Sequence, residues 1–215
     1  MTGKLHCPLC ATGKNTRFFT DKRRDYLRCD NCALVFVPPV YFLTREAERA
    51  EYDLHQNEVD NPGYRQFLSR LARPLLERLP SGASGLDFGC GPGPALAQIL
   101  RDGGCQVVLY DSFYHPDRSV LGQHFDFISA TEVVEHLHSP GAQLQQLWQQ
   151  LNAGGWLGVM TKLVRDAQAF ASWHYKNDPT HVSFFSEMTW HWWAQRYGAS
   201  IEILGADVIL LQKQG

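Results

Sequence analysis

An α/β fold is predicted, a three-layer sandwich on a mostly parallel sheet, because from residue 85 onward short apolar runs alternate with helical stretches. Two observations at the ends complete the expectation. The last two runs, Ser200–Leu204 and Val208–Gln212, are joined by Gly205-Ala206-Asp207 alone, which predicts a C-terminal antiparallel strand pair. Near the start, two C-x-x-C units predict a small N-terminal zinc knuckle. A chain of 215 residues has room for one such domain and an appendage. The expected division is a zinc-binding knuckle over 1–40, a helical lid or linker over 41–80 and the main domain over 81–215.

In the knuckle, Cys7-Pro8-Leu9-Cys10 is followed by eighteen residues and then Cys29-Asp30-Asn31-Cys32. That spacing can bring four thiolates to one tetrahedral Zn2+. The alternating stretches Thr16–Thr20 and Tyr26–Cys29 predict a short hairpin between the pairs. So short a segment buries little core, and a metal supplies the missing folding free energy. Four cysteine ligands close the coordination sphere, so the zinc is read as structural.

Paired C-x-x-C units point to metal rather than disulfides in a reducing compartment. The first residues hold no signal-type apolar core, and no run approaches about 18 apolar residues. A cytoplasmic protein without a membrane partner is therefore expected. Residues 1–40 hold seven Lys or Arg against three Asp, a net +4, so a chain of net −2 leaves −6 on the remainder. A basic head on an acidic body fits an anionic partner such as RNA, or a plain solvated surface.

Ala33–Val37 reads as a strand stopped by Pro38-Pro39, and residues 44–60 as charged and partly helical. Tyr64, Phe67, Leu68, Leu71, Leu75, Leu76 and Leu79 recur at helical spacing, with Pro74 expected to kink or divide that helix. Strands are predicted at Gly85–Phe88, Gln106–Tyr110, Phe125–Ser129 and Trp156–Thr161. Helices are predicted at Pro94–Arg101, Ala142–Leu151 and from a Ser186 cap to Tyr197. Trp190, Trp192 and Trp193 on the last helix are expected to be core.

The first of these strands runs into a triple-glycine turn, Asp87-Phe88-Gly89-Cys90-Gly91-Pro92-Gly93. Such a turn lets a ligand approach bare backbone and the N–H groups of the next helix. The spacing is G-x-G-x-G, unlike the dinucleotide pattern G-x-G-x-x-G, and this disfavours a nicotinamide-dependent oxidoreductase. Asp87 sits two residues before the first glycine, and Asp111 ends the next strand, 22 residues beyond Gly89, where it can accept from ribose hydroxyls.

From about residue 64 to 215 the chain resembles class I S-adenosylmethionine-dependent methyltransferases, which are Rossmann-like. Phe125-Asp126-Phe127-Ile128 is similar to that family's fourth strand, and Leu151-Asn152-Ala153-Gly154-Gly155-Trp156-Leu157 to the turn before its fifth. The resemblance implies that Asp87, Gly89, Cys90, Gly91, Gly93, Asp111 and Thr131 hold S-adenosylmethionine. One departure stands out. Only fourteen residues separate Asp111 from Asp126, so the family's third strand must be very short or missing, and adenine must be met by backbone or by Tyr110 and Phe113.

Acceptor-side candidates follow the fourth strand. On a helical turn Glu132, Glu135 and His136 share a face at i, i+3 and i+4. This E-x-x-E-H looks like the metal site of small-RNA 2′-O-methyltransferases and of ubiquinone-pathway O-methyltransferases, with His181 as the fourth ligand. Mg2+ or another divalent metal there would activate an acceptor hydroxyl. The alternative is a metal-free turn in which His136 lines the pocket. The aromatic stretch from Phe170 through Trp173, His174, Tyr175 and His181 to Phe185 could stack a planar acceptor, and Tyr52, His55 and Asn57 could close as a lid.

The expected enzyme transfers a methyl group to an O, N or C acceptor, a small molecule because the acidic body repels a polyanion. Two alternatives stay open. One is an RNA methyltransferase gripping RNA through the basic knuckle, Arg23 and Arg24 included; the other is a non-catalytic scaffold.

Overall fold

The computed structural model describes residues 5–54 and 59–215. His55 and Asn57 of the expected lid lie outside the described residues. Six strands form the main sheet: β4 (Ser84–Phe88), β5 (Gln106–Tyr110), β6 (Phe125–Thr131), β7 (Leu151–Met160), β9 (Ala199–Leu204) and β10 (Val208–Lys213). Their order is β5-β4-β6-β7-β10-β9, the first four parallel and β10 antiparallel to both neighbours. Between β5 and β6 lie an isolated Asp111–His115 bridge and a 3-10 turn over Arg118–Gly122, so no third parallel strand forms there.

Side-chain alternation along the strands makes the sheet two-faced. Leu86, Ile128, Val159, Ile209 and Leu211 pack with α4 (Pro140–Gln150) and α6 (Glu187–Tyr197). Phe127, Met160 and Leu210 pack with α2 (Pro62–Leu76) and α3 (Ala95–Asp102). This is the expected three-layer, Rossmann-like architecture. Trp190 and Trp193 are fully buried, in keeping with their expected core role, and Trp192 is half-buried. Pro74 does not divide α2, because it lies in the last turn, where few backbone bonds remain to be lost. Among the described residues no helix is long and apolar enough to cross a membrane.

The head is a second, antiparallel sheet in which β1 (Asn15–Thr20), β2 (Asp25–Cys29) and β3 (Val35–Phe36) are joined by β8 (Ser183–Phe184). Ahead of α6, the main chain thus lends a strand to the head. An aromatic cluster seals the junction: Tyr26, Phe170 and Phe184 are all fully buried, and the Tyr26 and Phe170 rings are 4.9 Å apart. Phe170, Tyr175, Phe184 and Phe185 are therefore core side chains rather than a stacking platform, and α5 (Ala167–Ala171) holds Phe170 against the hairpin. A further helix, α1 (Arg45–Tyr52), is capped by Thr44, whose side chain accepts from the Ala47 N–H.

Candidate active site

The glycine turn after β4 is possible only for glycine at two positions. Gly89 and Gly91 have φ of 71° and 64°, and a Cβ on Gly89 would lie 2.5 Å from Val133. The turn is tied to the end of β5, where the Gly89 N–H donates to the Tyr110 carbonyl at 2.7 Å. Asp111 closes the same corner. One carboxylate oxygen accepts from the Gly91 N–H at 3.1 Å; the other accepts from the Phe113 and Tyr114 N–H groups at 2.8 and 3.1 Å. Asp87 beneath the turn accepts from Ser129 Oγ at 2.8 Å, yet burial pushes its carboxyl up to about 7.

A cavity of about 680 Å3 opens above this corner. Asp87, Gly89, Cys90, Gly91, Gly93, Asp111 and Thr131 line it, with Tyr110 and Phe113, and so do Glu132, His136 and His181. Thr131 Oγ1 and Glu132 Oε1 are buried there without a hydrogen-bond partner among the described residues, as groups awaiting a polar ligand would be. Tyr52 and Glu48 bring α1 over the mouth, where Tyr52 packs edge-on against Phe113 and His136 at 5.7 and 5.2 Å.

The Glu132–His136 segment differs in detail from the helical turn expected. Glu132 leaves β6 with φ of 53°, and only Val134–His136 form a 3-10 turn. Glu132 and Glu135 consequently meet at one hydroxyl but differ in burial. Glu135 is fully buried below the cavity, bonded to the Tyr175 hydroxyl and, at 3.0 Å, to Thr161 Oγ1. Glu132 lines the cavity and reaches the same Tyr175 hydroxyl at 3.3 Å. Burial raises both carboxyls, to about 7 for Glu132 and about 8 for Glu135. Tyr175 and Thr161 are partners of these carboxyls that the sequence did not reveal.

His136 and His181 meet edge to face, ring centroids 4.5 Å apart. A carbonyl can only accept, so the 2.7 Å contact between His181 Nδ1 and the Tyr175 carbonyl places a proton on Nδ1. His181 Nε2 then lies 3.7 Å from Asp178, which also lines the cavity. Donor atoms of Glu135, His136 and His181 lie within 4.8 Å of one another, a set that could hold a divalent cation, with Glu132 outside the group.

In the head, Cys7, Cys10, Cys29 and Cys32 converge, with Sγ–Sγ distances of 3.5 Å for Cys7–Cys32 and 3.4 Å for Cys10–Cys29. A tetrahedral zinc with Zn–S of about 2.3 Å would hold sulfurs about 3.8 Å apart, so the four fit a zinc-binding knuckle. The two units fold alike: Ala11 and Ala33 both have φ near 60° and donate to the carbonyls of Cys7 and Cys29. The first unit docks on α4, where the Gly141 N–H donates to the Pro8 carbonyl at 3.1 Å.

Similar architectures are known. A Burkholderia thailandensis 1,6-didemethyltoxoflavin-N1-methyltransferase, solved with 1,6-didemethyltoxoflavin and S-adenosylhomocysteine, superposes with a TM-score of 0.54 at 14% identity, over 94% of this chain and 100% of that one. A SAM-dependent methyltransferase from Archaeoglobus fulgidus gives 0.53 at 14% identity, over 69% of this chain and 94% of that one. No curated protein sequence matches. A family model described as a methyltransferase domain matches residues 60–202, which include β4, the glycine turn, β6 and α6. The chain belongs to this methyltransferase domain family.

Proposed function

We propose that the protein methylates a small acceptor that carries no phosphate or carboxylate. The observation behind this is the lining of the cavity. Glu48, Asp87, Asp111, Glu132 and Asp178 line it, and among the described residues neither Lys nor Arg does. An anionic acceptor would be desolvated there without a counter-charge. The volume is that of a small-molecule site. Arg23 and Arg24 do not support an RNA grip, because both donate to backbone carbonyls between Lys176 and Pro179.

On this reading Gly89, Cys90, Gly91 and Gly93 offer bare backbone to the cofactor, with Asp87, Asp111 and Thr131 as its polar partners. S-adenosylmethionine, when bound, supplies a methyl group on a sulfonium, already activated for in-line displacement. The protein's own work is then alignment, exclusion of water and removal of the acceptor's proton. His181 is suited to receive that proton. Its Nδ1–H is committed to the Tyr175 carbonyl, the lone pair of the neutral ring sits on Nε2, and Asp178 stands near to stabilise an imidazolium. Glu132, raised to about 7, is a second proton acceptor poised near neutrality. A divalent cation on Glu135, His136 and His181 would take the Nε2 lone pair itself and supply Lewis acidity in place of that base. Zn2+ on Cys7, Cys10, Cys29 and Cys32 would be structural.

Calorimetric titration of the zinc-loaded protein with S-adenosylhomocysteine tests the cofactor end. Micromolar binding is expected, weakened by about 30-fold or more in Asp111→Ala, the loss of roughly 2 kcal/mol of charged hydrogen bonding. Equal affinity in folded variant and wild type would remove Asp111 from the site.

A further inference from the structure

Three charged groups outside the cavity have no part in the reaction as described: Arg24, Lys176 and Asp21. Arg24 is 7% exposed and Lys176 6%. Burying an arginine is costly, and a purely structural contact is made at less cost by apolar side chains. Arg24 is satisfied in a particular way. One guanidinium nitrogen donates to the Lys176 and Asp178 carbonyls at 2.6 and 2.7 Å, a second donates to the Pro179 carbonyl at 3.2 Å, and Nε donates to the Tyr26 hydroxyl at 3.0 Å. Three carbonyls of one four-residue segment thus converge on one side chain of the head.

The head end of this contact is equally fixed. Arg24 sits in the β1–β2 turn, where Asp21 accepts from the backbone N–H groups of Arg23 and Arg24 at 2.8 and 3.1 Å. The other Asp21 oxygen pairs with Lys176 Nζ at 3.1 Å and accepts from the Tyr26 hydroxyl at 3.3 Å. The two strands flanking this turn lie between the C-x-x-C units, and β2 ends on Cys29. On the far side, the clamped segment leads straight into the acceptor end. Asp178 and His181 line the cavity, and the Tyr175 carbonyl that sets the His181 tautomer adjoins Lys176.

We propose that Arg24 is a positioning residue that fixes the 175–181 segment, making the cysteine-rich head a buttress of the acceptor pocket. The inference rests on the reading of Asp178 and His181 as the acceptor side. A planar fork suits this role, since several carbonyls at different heights need several donors in a rigid frame. Lysine offers a point charge and cannot span them.

Arg24→Gln and Arg24→Lys, both zinc-loaded, test it by hydrogen exchange and by NMR of the histidine rings. The amides of Thr180, His181 and Val182 are each hydrogen-bonded, to Asp178 Oδ1, the Asp178 carbonyl and the Glu135 carbonyl. Their exchange should quicken by at least about tenfold in both variants, and the protected His181 Nδ1–H signal should be lost. Exchange in β4, β6 and β7 and affinity for S-adenosylhomocysteine should match wild type. Wild-type exchange at Thr180–Val182, full rescue by lysine, or acceleration spread evenly over the sheet would each overturn the proposal. Should the glutamine variant fail to fold, the lysine variant carries the same readouts. Wild-type protein that does not bind S-adenosylhomocysteine would strike at the cofactor reading instead, and the exchange pattern would still judge Arg24.

Discussion

Asp87 shows how a residue read from a motif acquires chemistry only in its surroundings. It is 3% exposed, and burial holds its carboxyl near 7 against an ordinary 3.8, with the Ser129 hydroxyl offsetting part of the cost. The native state keeps this proton up to about pH 7, whereas the unfolded chain surrenders it near pH 4; raising pH across that window therefore withdraws stability. Asp87→Asn has no proton to lose. In the absence of cofactor, its stability relative to wild type should rise by about 3 kcal/mol between pH 5 and pH 8 in urea melts. A difference that stays constant with pH would mean Asp87 ionises freely in the native state. Position and type of this residue were legible in the sequence, as were the glycines and Asp111, because a strand, its turn and the next strand's end carry them in a fixed spacing. Tyr175 and Thr161 were not. Their contacts with Glu135 span 40 and 26 residues, and no local pattern records them.

At the scale of elements, strands were found close to where their side-chain pattern put them, save that β7 begins at Leu151, five residues ahead of the expected Trp156, and helices lie within two or three residues of their caps. What escaped was pairing. β3 and β8 are two residues long and lie almost 150 residues apart, so neither periodicity nor loop length announces that they form one sheet. The docking of the first cysteine unit on α4 was equally hidden, and there a glycine marks it after the fact. A Cβ on Gly141 would stand 2.3 Å from the Leu9 carbonyl oxygen, a backbone atom that cannot rotate away. Gly141→Ala should cost about 1–3 kcal/mol and lower the melting temperature by several degrees, with zinc retained. Gly122→Ala, where a Cβ meets nothing within 4 Å, is the matched control and should melt like wild type. Equal melting of the two variants would mean that the cysteine unit is not seated on α4.

On the proposed reading the whole molecule divides its labour along the cavity: β4, β5 and β6 make the cofactor side, and the acceptor side is completed by a segment held from outside through β8, the Tyr26–Phe170 cluster and Arg24. Fold class and the missing third strand followed from spacing, whereas this second attachment depends on contacts between distant parts of the chain and had no sequence signature. The division predicts an asymmetric response to metal loss. With the four sulfur–metal bonds gone, the head should lose much of its stability when zinc is removed by a chelator. Protection of Thr180, His181 and Val182 should fall with it, while affinity for S-adenosylhomocysteine should stay within about threefold, under about 1 kcal/mol, because none of the four cysteines lines the cavity. Zinc, and not magnesium, should restore the exchange pattern. A parallel collapse of cofactor affinity would show instead that head and body fold as one cooperative unit, and that the metal stabilises the entire enzyme rather than one end of its pocket.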